Sequence, residues 1–102
     1  MMNTNYYVFI YFPGPNWLAN QSMIKQPLTG HFRYMNRLET EEKLVLGGGF
    51  TDDTGAMGIL LVSGLEEARE IIKNDPAVKE GIVTAQIHPY FVTVASKIQK
   101  SG

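Results

Sequence analysis

Two histidines, an aspartate just before a proline and a single tryptophan are the residues of this chain whose chemistry is most open to use. Imidazole has the unperturbed pKa nearest neutrality, so His31 and His88 are the candidates for moving a proton. His31 falls within a helical pattern. With Leu28 as zero and about 100° per residue, it lies near 300°, between Leu38 at about 280° and Met35 at about 340°. Its ring therefore flanks an apolar stripe, either as a core-edge histidine satisfied by a carbonyl or as a proton-transfer group in a pocket. His88 lies on the polar face of the last strand, just before Pro89. There it is either a hydrogen-bonded strand residue or a group near a pocket mouth. Asp75 precedes Pro76, which reads first as a helix-ending turn. Trp17, inside an irregular segment, either packs that segment onto the domain or lids a pocket with its apolar ring and one N–H donor.

Other patterns fail on inspection. Gly47-Gly48-Gly49 is followed by no Gly-Lys-Ser/Thr and opens no helix, so it predicts a tight strand end or bulge, not a phosphate loop. Asp52-Asp53 reads as a solvated turn, and neither histidine has a partner at metal-ligand spacing, so no metal is expected. Ser22, Ser63 and Ser96 show no nucleophile elbow. The absence of cysteine excludes a disulfide framework, a thiolate metal site and a cysteine nucleophile. Nine basic residues against ten acidic leave a net charge of −1, with no electrostatic footprint for nucleic acid or an anionic membrane. The chain has no basic leader, and its longest apolar run, Tyr6 to Phe12, is too short to span a bilayer; a cytoplasmic protein is expected.

The elements that must position these groups follow from periodicity. Tyr6 to Phe12 is aromatic and β-branched without a break, which predicts a strand covered on both faces and stopped at Pro13-Gly14-Pro15-Asn16. The stretch from Pro13 to Pro27 has no clean period and is long for a connecting loop. Leu28, Phe32, Met35 and Leu38 then draw a helical stripe, with Thr29 a candidate N-cap. Leu44-Val45-Leu46 with its glycine run, the turn 51–55 and Met57 to Val62 predict a hairpin. Ser63-Gly64-Leu65-Glu66 matches a capping box ahead of a stripe of Leu65, Ala68, Ile71 and Ile72. Ile82 to Val94 reads as a long final strand, with Val83, Ala85, Ile87 and Phe91 on one face and Thr84, Gln86, His88 and Tyr90 on the other.

One domain over residues 1–102 is expected, with a core of about 6–94 and a polar tail over 95–102. The order β-α-β-β-α-β is the ferredoxin-like arrangement: an α+β fold with a four-stranded antiparallel sheet and two helices on one face. The doubly apolar first strand demands a cover for the other face. A second copy of the same sheet supplies it, giving a two-fold homodimer.

On these residues the chain resembles the YciI-like (YCII-related) family of the dimeric α+β barrel superfamily. The pieces that carry the resemblance are Pro13-Gly14-Pro15-Asn16-Trp17, Gln26-Pro27-Leu28 with His31, Gly48-Gly49-Phe50-Thr51-Asp52-Asp53 with Gly55 and Met57, Asn74-Asp75-Pro76-Ala77-Val78 with Gly81, and His88-Pro89-Tyr90. The resemblance implies a homodimer with sheets packed face to face, and a suspected active site made of His31 and Asp75. Members often carry Gly-Pro where this chain has Gly49-Phe50, and tryptophan where it has Tyr90; both departures bear on pocket shape.

Two functional expectations follow. The first is a cofactor-independent enzyme acting on a small aromatic or cyclic molecule by isomerase- or lyase-type proton transfer. His31 would be the base and Asp75, accepting from one ring nitrogen, its orienting group; Trp17, Phe50, Tyr90 and His88 would line the substrate site. The second is a non-catalytic small-ligand-binding or dimerisation module. A cleft with His31 within hydrogen-bond reach of Asp75 favours the first; His31 turned into a filled core favours the second.

Overall fold

A computed structural model describes residues 5–96. Its elements are β1 (Tyr6–Pro13), α1 (Thr29–Thr40), β2 (Leu44–Gly49), β3 (Ala56–Leu61), α2 (Leu65–Lys73), α3 (Pro76–Lys79) and β4 (Val83–Tyr90), with one 3-10 turn at Met23–Lys25 in the loop after β1. The strands form one sheet in the order β2-β3-β1-β4, every neighbouring pair antiparallel. The fold is therefore α+β and ferredoxin-like, with α1 packed on β2 and α3, and α2 on β1 and β4. Among the described residues, no helix is long and apolar enough to cross a membrane.

The β1 strand occupies the centre because it is the most apolar segment and pairs on both edges. Tyr7, Phe9 and Tyr11 are buried under the helices, together with Leu60, Val83, Leu38, Ile71 and Ile72. The alternate residues Tyr6, Val8 and Ile10 are only half-buried, so within one chain β1 is covered on one face rather than two.

Several local expectations are corrected. Leu28, not Thr29, takes the N-cap position of α1, and no side chain caps that end. Phe32 is exposed despite its place in the stripe, because it stands at the rim of an open space below α1. The box before α2 is shifted: Gly64 is the N-cap, and Ser63 donates both its N–H (2.9 Å) and its hydroxyl (2.8 Å) to Glu67 Oε1, one residue beyond Glu66. The glycine run forms the last three residues of β2, as the sequence suggests, and the irregularity in the register falls earlier, between Leu44 and Leu46. The last strand ends at Tyr90 rather than Val94, because Tyr90 pairs with Tyr6, the first residue of its partner strand. Of the expected polar tail, 97–102 lie outside the described residues.

α3 was not anticipated from periodicity. Pro76 ends α2 by keeping Asp75 out of the helical region, and then serves as the first residue of a new helix. Gly81 closes that turn at φ 72°: its N–H bonds Val78 O and the next N–H bonds Ala77 O, a Schellman ending that needs a left-handed residue. Asn16 fastens the loop after β1 to this corner, its side chain donating to Glu80 O at 2.8 Å and its N–H to Gly81 O at 2.8 Å.

Candidate active site

Asp75 is completely buried at the junction of α2 and α3 and takes part in three hydrogen bonds. Its Oδ1 caps α3 by accepting the Ala77 N–H at 2.9 Å. Its Oδ2 accepts the Tyr11 hydroxyl at 2.6 Å and meets His31 Nδ1 at 2.7 Å. Amide and phenol both donate to this acceptor-only carboxylate, and the third bond is satisfied in the same sense by an Nδ1–H. The imidazole's other nitrogen, Nε2, is then the one left for exchange. The turn-forming and ring-orienting readings of Asp75 are compatible, since each uses a different oxygen.

Three local features bring His31 to this carboxylate. α1 starts at Thr29, which puts His31 in its first turn. Leu28 is buried and its N–H bonds Gln26 O at 2.9 Å, fixing where the helix begins. Gly30 faces Pro76 so closely that a Cβ there would stand 3.3 Å from the proline Cβ, and this approach carries the start of α1 onto α3. The His31 side chain is 14% exposed, with the Tyr11 and Phe32 rings centred 5.9 Å and 5.3 Å away. Burial first, then the adjacent Asp75 charge and the hydrogen bond to it, hold the Tyr11 phenol far above its ordinary pKa, so it stays a donor.

His31 lines a cavity of about 410 Å³ between α1 and the sheet, which lies in the size range of small-molecule sites. The sheet leaves this space because its residues there are small. Gly47 lies opposite Gly58, Gly49 opposite Ala56, and these rows belong to the face that carries Phe9 and Tyr11. Phe9 bends its ring over Gly58, and Met23 takes the volume above Gly49. Trp17 and Met23 close the side formed by the loop after β1, while Phe32 and Met35 come from α1. That loop is organised by Gln26, a buried side chain that accepts from Leu18 N–H (2.7 Å) and donates to Leu18 O (3.1 Å) and Gln21 O (3.2 Å). Asp53, from the β2–β3 turn, accepts the Met23 N–H at 3.0 Å.

The expected site residues are thus divided. His31, Asp75 and Trp17 gather at or beside the cavity. Phe50, Tyr90 and His88 do not line it. Phe50 lies in the turn after β2, bonded through its N–H to Gly55 O. Tyr90 and His88 stand opposite Tyr6 and Val8, on the sheet face turned away from the helices, and His88 meets the Gln86 side chain at 3.3 Å. Tyr11 is not singled out by the sequence, being one aromatic among several in an apolar strand, whereas Gln26 enters there only as part of the Gln26-Pro27-Leu28 piece of the resemblance, with no role attached. Among the described residues no group of three or more His, Cys, Asp or Glu could hold a metal ion.

Residues 6–89 match the model of the YCII-related domain, and the chain belongs to that family. It is 37% identical over 64 residues to the uncharacterized protein YjpA of Bacillus subtilis, a match covering 63% of this chain and 75% of that one. Its fold is similar to the 5-chloro-2-hydroxyhydroquinone dehydrochlorinase TftG of Burkholderia phenoliruptrix, solved in complex with 2,5-dihydroxybenzoquinone. The TM-score is 0.61 and the identity 21%, over 82% of this chain and 92% of that one.

Proposed function

We propose that this YCII-related protein is a cofactor-independent enzyme that transfers a proton on a small aromatic or cyclic molecule, in an isomerisation or elimination. The observation that carries this reading is the His31 Nδ1 contact with a fully buried Asp75 at the wall of a cavity of small-molecule size. His31 Nε2 takes a proton from a substrate carbon, and the C–H electron pair stays on the substrate as an enolate or dienolate. The imidazolium then returns the proton at another atom, or the electron pair expels a leaving group. Asp75 keeps the ring in one tautomer and balances the imidazolium charge while it lasts, as an orienting carboxylate does. Trp17, Phe9 and Met35 supply apolar surface against a flat ring. The small, ring-shaped compound bound to the similar fold of TftG supports the substrate class.

The test is incubation with small hydroxylated or halogenated rings in D₂O, followed by NMR for deuterium uptake or product. Turnover that drops about 100-fold or more in His31→Ala fits a general base. Ligands that bind the cavity but exchange nothing would favour the non-catalytic binding module.

We infer also that two copies pack sheet face to sheet face. The uncovered face presents Tyr6, Val8, Ile10, Ile59 and Leu61, none of them fully buried within one chain, and such contiguous apolar surface is typical of an interface.

A further inference from the structure

We propose that the Tyr11 hydroxyl is a positioning and tuning group for the His31 imidazole: by donating to the same Oδ2 atom that His31 Nδ1 meets, it fixes the carboxylate and draws off part of its negative charge, so that His31 is less basic than an Asp–His pair alone would make it. The Tyr11 ring packs against Phe9 at 5.0 Å and against His31 at 5.9 Å, contacts that a phenylalanine would make equally well. The hydroxyl is thus not explained by packing. Burying it carries a desolvation cost that only a hydrogen bond offsets, and its partner is the one oxygen that also meets His31. Asp75 is completely buried, so its accepting capacity is divided among protein donors. Each donor on Oδ2 takes electron density that would otherwise stabilise an imidazolium.

The other groups around His31 leave this relationship in place. Glu39 lines the same cavity from two turns further along α1. Tyr34, also on α1, donates to Ile71 O at 2.7 Å and carries the Arg37 guanidinium 5.1 Å above its ring. The parts of β2 and β3 that line the cavity are apolar or glycine. All of these are unchanged in a Tyr11 variant and cancel from the comparison.

The catalytic meaning of the proposal rests on the reading of His31 as the base, but its test needs no substrate. The His31 ring is titrated by NMR in the parent, in Tyr11→Phe, and in protein with 3-fluorotyrosine at position 11, whose more acidic hydroxyl is a stronger donor. The expected results are a rise of roughly half a unit to one unit in Tyr11→Phe and a fall in the fluorinated protein. If Tyr11→Phe fails to fold, the fluorinated protein alone decides the sign. In an Asp75→Asn background the Tyr11→Phe shift should vanish, because the charge that the hydroxyl moderates is gone. An unchanged titration overturns the proposal while leaving the base assignment intact. A fall in Tyr11→Phe also overturns it, since the hydroxyl would then only anchor Asp75 near the ring. Failure of the substrate search, with the titration shifts as expected, would count against the enzyme reading and not against this coupling.

Discussion

Phe9 lies directly opposite Gly58 across β1 and β3, and its ring covers the space where a side chain at Gly58 would stand. The glycine lets a large aromatic fold flat on the sheet, and the flattened ring leaves the cavity open beside His31. Gly58→Ala puts a methyl into that ring and should destabilise the protein by about 1–3 kcal/mol, the usual cost of overpacking. Urea unfolding reads this directly; a change under about 0.5 kcal/mol would mean Phe9 moves aside at no cost.

The Ser63–Glu67 arrangement makes stability depend on acid. The Ser63 N–H, then the Lys43 ammonium 3.1 Å away and the Ser63 hydroxyl, lower the Glu67 pKa to about 2. A folded-state value below the unfolded one, about 4.3, contributes stability that is fully present above the unfolded value and is lost as pH falls through the folded one. Glu67→Gln should therefore be less stable than the parent near neutrality, by about 1 kcal/mol or less for so accessible a group. The difference should shrink between about pH 4 and pH 2. Urea unfolding of both proteins across that window checks it, and a pH-independent difference contradicts the account. Ser63→Ala should matter less, because the N–H bond survives.

The open sheet face predicts the solution mass. Light scattering at micromolar concentration should give twice the 11.4 kDa chain. Ile10→Lys, placed on the uncovered face of β1, should halve that mass and leave the helical circular dichroism signal in place. A parent protein that scatters as a single chain rules out the face-to-face pairing.

The strand and helix order was readable because each element carries its own period and punctuation. Aromatic β1 stops at Pro13, the α1 and α2 stripes recur at helical spacing, and Asp75-Pro76 ends α2. The site was readable only in part. His31 announced itself by its place beside the stripe, and Asp75 drew notice through its proline and the family resemblance. Tyr11 could not be separated from the other aromatics of β1, since what marks it is a partner 64 residues away. The cavity was hidden for a similar reason: Gly47 and Gly49 share a face with Gly58 only once the bulge after Leu44 has set the hairpin register. Side chains opposite a strand's core face, such as His88 and Tyr90, look the same in sequence whether they border a pocket or point away from it.

In the proposed function, Asp75 holds the Nδ1 proton of His31 and leaves Nε2 free to accept one. Long-range ¹H–¹⁵N NMR of the His31 ring, at a pH above its titration, reports the tautomer directly and needs no variant that must fold. The account predicts a protonated Nδ1 and an Nε2 with the shift of a bare lone pair. An imidazole carrying its proton on Nε2 would contradict it.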